Sequence, residues 1–213
     1  MEQRSGATTE VLAAARPAGA PEDAGRLPCL VVPRRFQDAR GWFSETYNAR
    51  RLAEQHGIGV AFVQDNQSWS AKRGTIRGLH FQAPPHAQGK LVSAAKGAIL
   101  DVAVDIRRGS PTFGQYVAAE LTADNGRQLW IPAGFAHGFC TLTDDVVVAY
   151  KVTDFYAPET EGGIRFDDPT IAVDWPVPAG EACLSDKDTR YPALDGFASP
   201  FAYDGAPLRP LAL

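Results

Sequence analysis

Two neighbouring runs concentrate the side chains able to do chemistry: Arg77, Gly78, Leu79, His80, Phe81 and Gln82, then Gln88, Gly89, Lys90 and Leu91. The imidazole matters most, because its ordinary pKa lies closest to a neutral working pH. Strand-forming residues surround it. Alternation along a strand puts His80 on one face with Gly78 and Gln82, and turns Leu79 and Phe81 to the other. If Leu79 and Phe81 fill the core between two sheets, His80 lines a separate hollow. Arg77 should alternate away from His80, yet Gly78 between them permits a bulge that brings the guanidinium back to the same side. A lone histidine in a strand is more often structural than reactive; the flanking cations favour a reactive one.

A second histidine, His137, closes the run Pro132, Ala133, Gly134, Phe135, Ala136, His137. This spacing resembles the second half of the metal signature of cupins, which are small jelly-roll barrels. The first half needs His-x-His and a carboxylate, whereas this chain has His80, Phe81 and Gln82. An amide replaces imidazole poorly around a transition metal. The expectation is a barrel of cupin shape with no metal and no other cofactor.

The elements that must position these groups are nearly all β. Residues 61–70, 75–82, 90–95, 98–106, 115–121, 128–132, 138–142 and 146–152 are short strand-like runs separated by Gly, Pro, Asp and Asn. Such spacing suits a sandwich or barrel better than alternating βα units. Residues 98–106 alternate openly, with Leu100, Val102, Val104 and Ile106 on one face and Asp101, Ala103 and Asp105 on the other. Ahead of them, residues 27–33 read as an edge strand with prolines, 38–41 as a turn, 42–45 as a short strand, and Asn48 as the cap of a helix ending at Gly57. Beyond Tyr156, residues 159–163 read as a turn, and 167–178 and 184–192 as ordered loops or short helices. The expected fold is all-β, a jelly-roll (cupin-like) barrel with a short N-terminal helix and a C-terminal loop or helical region.

The 213 residues suit one domain with appendages. Residues 1–26, rich in Ala, Gly, Pro and Glu, read as a flexible extension, residues 27–193 as the domain, and residues 194–213 as a tail. A balance of 21 basic against 25 acidic residues, with no long basic run, argues against a nucleic-acid partner. A few converging arginines could still hold a small anion. No stretch reaches the roughly 18 to 20 apolar residues of a membrane span, and the first residues lack a signal peptide's apolar centre. Cys29, Cys140 and Cys183 form no C-x-x-C pair, which speaks against a disulfide framework or zinc knuckle and fits a reducing cytoplasm.

Several long motifs then agree in order with one family. Arg-Gly-Leu-His-Phe-Gln at 77–82, Gln-Gly-Lys-Leu-Val at 88–92, Asp-Val-Ala-Val-Asp-Ile-Arg at 101–107, Ser-Pro-Thr-Phe-Gly at 110–114, Gly-Phe-Ala-His-Gly-Phe at 134–139 and Leu-Ser-Asp-Lys-Asp at 184–188 resemble dTDP-4-dehydrorhamnose 3,5-epimerase. The resemblance spans about residues 27–193. It implies a dTDP-4-keto-6-deoxyhexose substrate inverted at the two carbons flanking its ketone, and a homodimer sharing N-terminal strands. Inversion beside a ketone needs a base on one face, a stabiliser for the enolate oxygen, and an acid on the other face.

By the same resemblance His80 is the base, Asp188 its partner, Tyr150 the proton donor and Lys90 the ammonium beside the keto oxygen. The nucleotide-sugar contacts it implies are Arg40, Glu45, Gln64, Asp65, Asn66, Arg77, His137, Glu161 and Lys187, with Tyr156 stacked on thymine. Taken singly, most of these would be solvated side chains. Related monofunctional epimerases share this base and acid while inverting one centre. A metal-dependent cupin isomerase or oxygenase, and a non-catalytic nucleotide-sugar binding module, are the readings from other classes.

Overall fold

The computed structural model of the chain describes residues 24–206 and 208–213, so most of the expected extension, residues 1–26, lies outside the described residues. Strands dominate: β1 (Cys29–Val31), β2 (Arg35–Asp38), β3 (Gly41–Ser44), β4 (Gln64–Ser70), β5 (Ile76–Gln82), β6 (Lys90–Lys96), β7 (Ala98–Asp105), β8 (Tyr116–Thr122), β9 (Gln128–Ile131), β10 (Phe135–Thr141), β11 (Val146–Val152) and β12 (Glu161–Gly163). A single α-helix among the described residues, α1 (Ala49–His56), precedes β4. Asn48 caps it by accepting from the Arg51 backbone N–H, and Gly57 ends it at φ 69°, a left-handed conformation glycine adopts without strain.

Two five-stranded sheets carry the fold, in the orders β1-β9-β6-β11-β4 and β12-β5-β10-β7-β8, and β2 and β3 form a separate hairpin. The pairings are antiparallel. The arrangement is the expected cupin-like jelly roll, with its barrel not closed. As expected, β1 is an edge strand. No helix of the described residues is long and apolar enough to cross a membrane.

Strand alternation creates two cores. Val92, Ala94, Ile99, Ala103, Leu121, Leu129, Phe135, Phe139, Val146 and Val148 pack between the sheets. Leu79, Phe81, Val102, Val104 and Ile106 point the opposite way and pack with Ala136, Ile164, Ile171, Leu194 and Phe201. Leu79 and Phe81 therefore do not fill the core between the sheets: the C-terminal segment returns over the outer face of β5, β10 and β7 and covers them. Burying a side chain such as Leu79 there contributes about 1.5–3 kcal/mol. Residues 194–213 are not a detached tail, since Leu194 and Phe201 belong to this second core and Leu208 and Leu211 pack against the first.

Residues 159–163 form more than the expected turn, because β12 adds to the edge of β5 through pairs such as Gly163 with His80. Glycine is needed there. A Cβ on Gly162 would sit 2.4 Å from the Phe81 ring, and one on Gly163 2.6 Å from the Tyr191 ring. Glycine-rich segments carry little strand signal, so pairing with a waiting edge decides this element rather than local preference.

Candidate active site

The expected bulge in β5 is present and aims the arginine. His80 pairs with His137 and Arg77 with Phe139, so three steps along β5 match two along β10. Gly78 absorbs the extra residue at φ 137°. His80 and Arg77 consequently line one cavity of about 390 Å³ with Lys90, His137, Tyr150 and Asp188. An adjoining lobe of about 330 Å³ shares His80, Lys90 and Tyr150 and adds Gln64, Asn66, Tyr156 and Glu161.

His80 Nε2 lies 2.5 Å from Asp188 Oδ1. Ser185 Oγ donates to Asp188 Oδ2 at 2.7 Å, so both carboxylate oxygens are engaged. Burial works to raise the Asp188 pKa, but the bonds from His80 and Ser185 outweigh it and hold the carboxyl below its ordinary range. An ionised Asp188 accepts from a proton-bearing Nε2 and leaves Nδ1 of neutral His80 with its lone pair. The Tyr191 ring meets the His80 ring edge-on, with centroids 5.4 Å apart.

Lys90 opens β6 and Tyr150 lies on β11, whose partner across β4 is Asn66. Burial lowers the Lys90 pKa to about 8, with Asp101 and Glu161 opposing the drop. Burial also raises the Tyr150 phenol above its ordinary value, with Arg77 opposing. A poised ammonium, an imidazole with a free lone pair and a phenol that keeps its proton therefore surround one space. Such a set can remove a proton from carbon, hold negative charge on oxygen, and return a proton.

The rim is a chain of polar contacts. Tyr156 OH donates to Glu161 Oε2 at 2.8 Å, and Lys187 Nζ lies 2.5 Å from the same oxygen. Gln64 Nε2 donates to Asn66 Oδ1 at 2.7 Å, and Gln64 Oε1 accepts from the Tyr156 backbone at 3.2 Å. Gln82 joins strand to loop: its Nε2 donates to the carbonyl oxygens of His86 and Phe155, and its Oε1 accepts from Ala157 N at 2.9 Å.

Three expected contacts lie away from this cavity. Asp65 sits between Gln64 and Asn66 on β4, so alternation turns it to the opposite face, where its Oδ1 accepts from Lys151 Nζ at 2.9 Å. Arg40 lies in the β2–β3 turn and pairs with Asp38 at 2.6 Å, and Glu45 pairs with Arg51 at 3.3 Å. The β2–β3 hairpin is separate from the two main sheets, and Arg40 lines neither lobe of the cavity.

Other residues of the site escaped the motif reading. Asp101 lies fully buried under His137, with Oδ1 2.7 Å from His137 Nε2. Its signal was present: an acidic side chain, like that of Asp105, on one face of an alternating strand whose other face is apolar. Ser185 stands three residues before Asp188, a spacing typical of hydroxyl turns. Tyr191 has no comparable signal. Among the described residues, no three His, Cys, Asp or Glu side chains converge as metal ligands would.

Comparison with known proteins matches residues 28–196 to the family model described as dTDP-4-dehydrorhamnose 3,5-epimerase. A protein of that name from Sinorhizobium fredii (strain NBRC 101917 / NGR234) is 51% identical over 174 residues, covering 82% of this chain and 88% of the relative. Its namesake in Pseudomonas aeruginosa is 55% identical over 161 residues, covering 76% and 87%. Among solved structures, a dTDP-6-deoxy-D-glucose-3,5-epimerase from Legionella pneumophila in complex with dTDP-4-keto-L-rhamnose superposes with a TM-score of 0.79. It is 46% identical and covers 84% of this chain and 94% of that one.

Proposed function

The chain belongs to the dTDP-4-dehydrorhamnose 3,5-epimerase family, and on that premise we propose that it converts dTDP-4-dehydro-6-deoxy-D-glucose to dTDP-4-dehydro-L-rhamnose by inverting C3 and C5. His80 Nδ1 takes the proton from a carbon beside the ketone, and the bonding pair moves through the enolate to the C4 oxygen. The Lys90 ammonium offsets that charge. Tyr150 then returns a proton to the opposite face of the carbon, and the enolate pair re-forms the ketone. One proton leaves and one arrives, so the substrate's oxidation state is unchanged. Asp188 supports the imidazolium between the two transfers. Arg77 offers its fork to the diphosphate, Gln64, Asn66, His137, Glu161 and Lys187 hold the remaining polar groups, and Tyr156 stacks on thymine.

The observation that carries this reading is that His80, Lys90 and Tyr150 line both lobes of one cavity. The test is proton NMR of the 4-keto sugar nucleotide with the enzyme in heavy water. Deuterium at both C3 and C5 of the inverted product is the expected result. Entry at one carbon only would make the enzyme a monofunctional epimerase, and no entry at either would overturn the reading.

The displaced residues support a reading of the assembly. The hairpin holding Arg40 exposes Phe36, Trp42 and Phe43 at 45%, 54% and 68% of their surface, more apolar area than an unpartnered arm normally shows. We propose a cytoplasmic homodimer with shared N-terminal strands, in which Arg40 and Glu45 serve the cavity of the partner. Light scattering on the eluting protein should give twice the chain mass; a monomer at micromolar concentration overturns the arrangement.

A further inference from the structure

The epimerisation leaves one acidic group beneath the cavity unused. Asp101 on β7 is fully buried, and while its Oδ1 meets His137 Nε2 at 2.7 Å, its Oδ2 has no hydrogen-bond partner among the described residues. A buried carboxylate oxygen without a partner costs stability.

We propose that Asp101 is a positioning residue, which fixes His137 in the form protonated on Nε2 and bare on Nδ1. The assignment rests on the epimerase reading above and extends it. An ionised carboxylate only accepts, so the shared proton belongs to Nε2. Burial depresses the His137 pKa further than Asp101 raises it, which keeps the ring neutral. Neutral and bare on Nδ1, His137 cannot donate to a ketone or enolate oxygen. It accepts instead, from the Lys90 ammonium or a sugar hydroxyl, and the oxygen's charge falls to Lys90 alone.

Two measurements decide it. In the wild-type protein labelled with nitrogen-15 histidine, with His137 assigned by its loss in His137→Gln, the ring should read as protonated Nε2 and bare Nδ1 between about pH 6 and 9. A proton on Nδ1 with Nε2 bare overturns the proposal, whatever the activity. In Asp101→Asn, whose amide can present either an acceptor or a donor to the ring, the preference for a proton on Nε2 should be lost, and Asp101→Glu should restore it. An unchanged His137 tautomer in folded Asp101→Asn would make Asp101 a packing residue and overturn the proposal. Should Asp101→Asn fail to fold, the nitrogen-15 spectrum of the wild type decides the matter alone. Absence of exchange in the wild type itself would instead count against the epimerase reading.

Discussion

His80 and His137 are directly paired residues of β5 and β10, and each has its Nε2 tied to a different carboxylate, Asp188 at 2.5 Å and Asp101 at 2.7 Å. The two carboxylates arrive from different places. Asp101 stands on the neighbouring strand of the same sheet, whereas Asp188 comes from a short turn of the C-terminal segment, 108 residues beyond its histidine. One histidine is thus set by the sheet and the other by the segment that closes over the sheet, which makes that segment part of the site.

Asp188→Asn should lower kcat by about 10²–10⁴-fold with little change in KM, because the amide no longer stabilises the imidazolium and can select the wrong tautomer. Steady-state kinetics read this directly. The same change carries a stability signature. The folded Asp188 pKa is depressed, so its contribution is present above the ordinary carboxylate pKa and lost as pH falls through the folded value. Urea midpoints of wild type and variant should differ at neutral pH and converge in acid; a constant gap would contradict it.

Tyr150→Phe separates the two half-reactions. Proton removal by His80 does not need the phenol, so substrate should still exchange with heavy water, while formation of inverted product falls by about 10²–10³-fold. Burial keeps the phenol protonated beyond its ordinary pKa, and the alkaline limb of the wild type should therefore not belong to it. Product formation at the wild-type rate would remove Tyr150 as the acid.

That limb should lie near pH 8, where burial has brought Lys90. Lys90→Met should lower kcat/KM by about 10²–10³-fold through loss of charge beside the enolate oxygen. It should also change the pH dependence of stability. With its pKa near 8 folded and 10.5 as the ordinary value, the unfolded chain holds more protons between those limits. Lys90 therefore costs stability below the folded pKa, and that cost is relieved as pH rises through the window. Wild type should gain on the variant across it, as measured by chemical denaturation at stepped pH.

Much of this was legible in the sequence because strand period is a strong signal. Residues 146–152 and 98–106 place themselves, and Gly78 permits the bulge that returns the arginine to the side of His80. What stayed hidden depends on chain returning from afar. Nothing local in Asp188 distinguishes it from a solvated turn residue, and only the family resemblance paired it with His80. Asp65 shows the converse limit: motif identity grouped it with Gln64 and Asn66, while the alternation that reads the rest of the fold sends it to the opposite face. The strand at residues 161–163 was missed because its glycines are there for Phe81 and Tyr191, a reason that exists only in three dimensions.

Gly78→Ala tests whether the bulge is the device that assembles the site. At φ +137° the position disfavours any side chain, and the new Cβ would lie 2.5 Å from Gly138 Cα and 2.9 Å from the His137 carbonyl oxygen. Backbone on both sides blocks relief, since Gly138 is itself confined, with a Cβ there falling 2.9 Å from the Arg77 carbonyl. Such strain costs about 1–3 kcal/mol before any clash is counted, which for a chain of this size lowers the melting temperature by roughly 2–12 °C. The displaced atoms are the backbone of His137 and of the strand carrying His80, so activity should fall further than stability predicts, by at least about 100-fold under conditions where the variant is folded. Gly180→Ala, where nothing lies within 4 Å of the new methyl, serves as the control and should stay within about 2 °C of wild type by calorimetry. Equal melting temperatures and rates for both variants would mean that the β5 bulge does not set the geometry of the histidine pair.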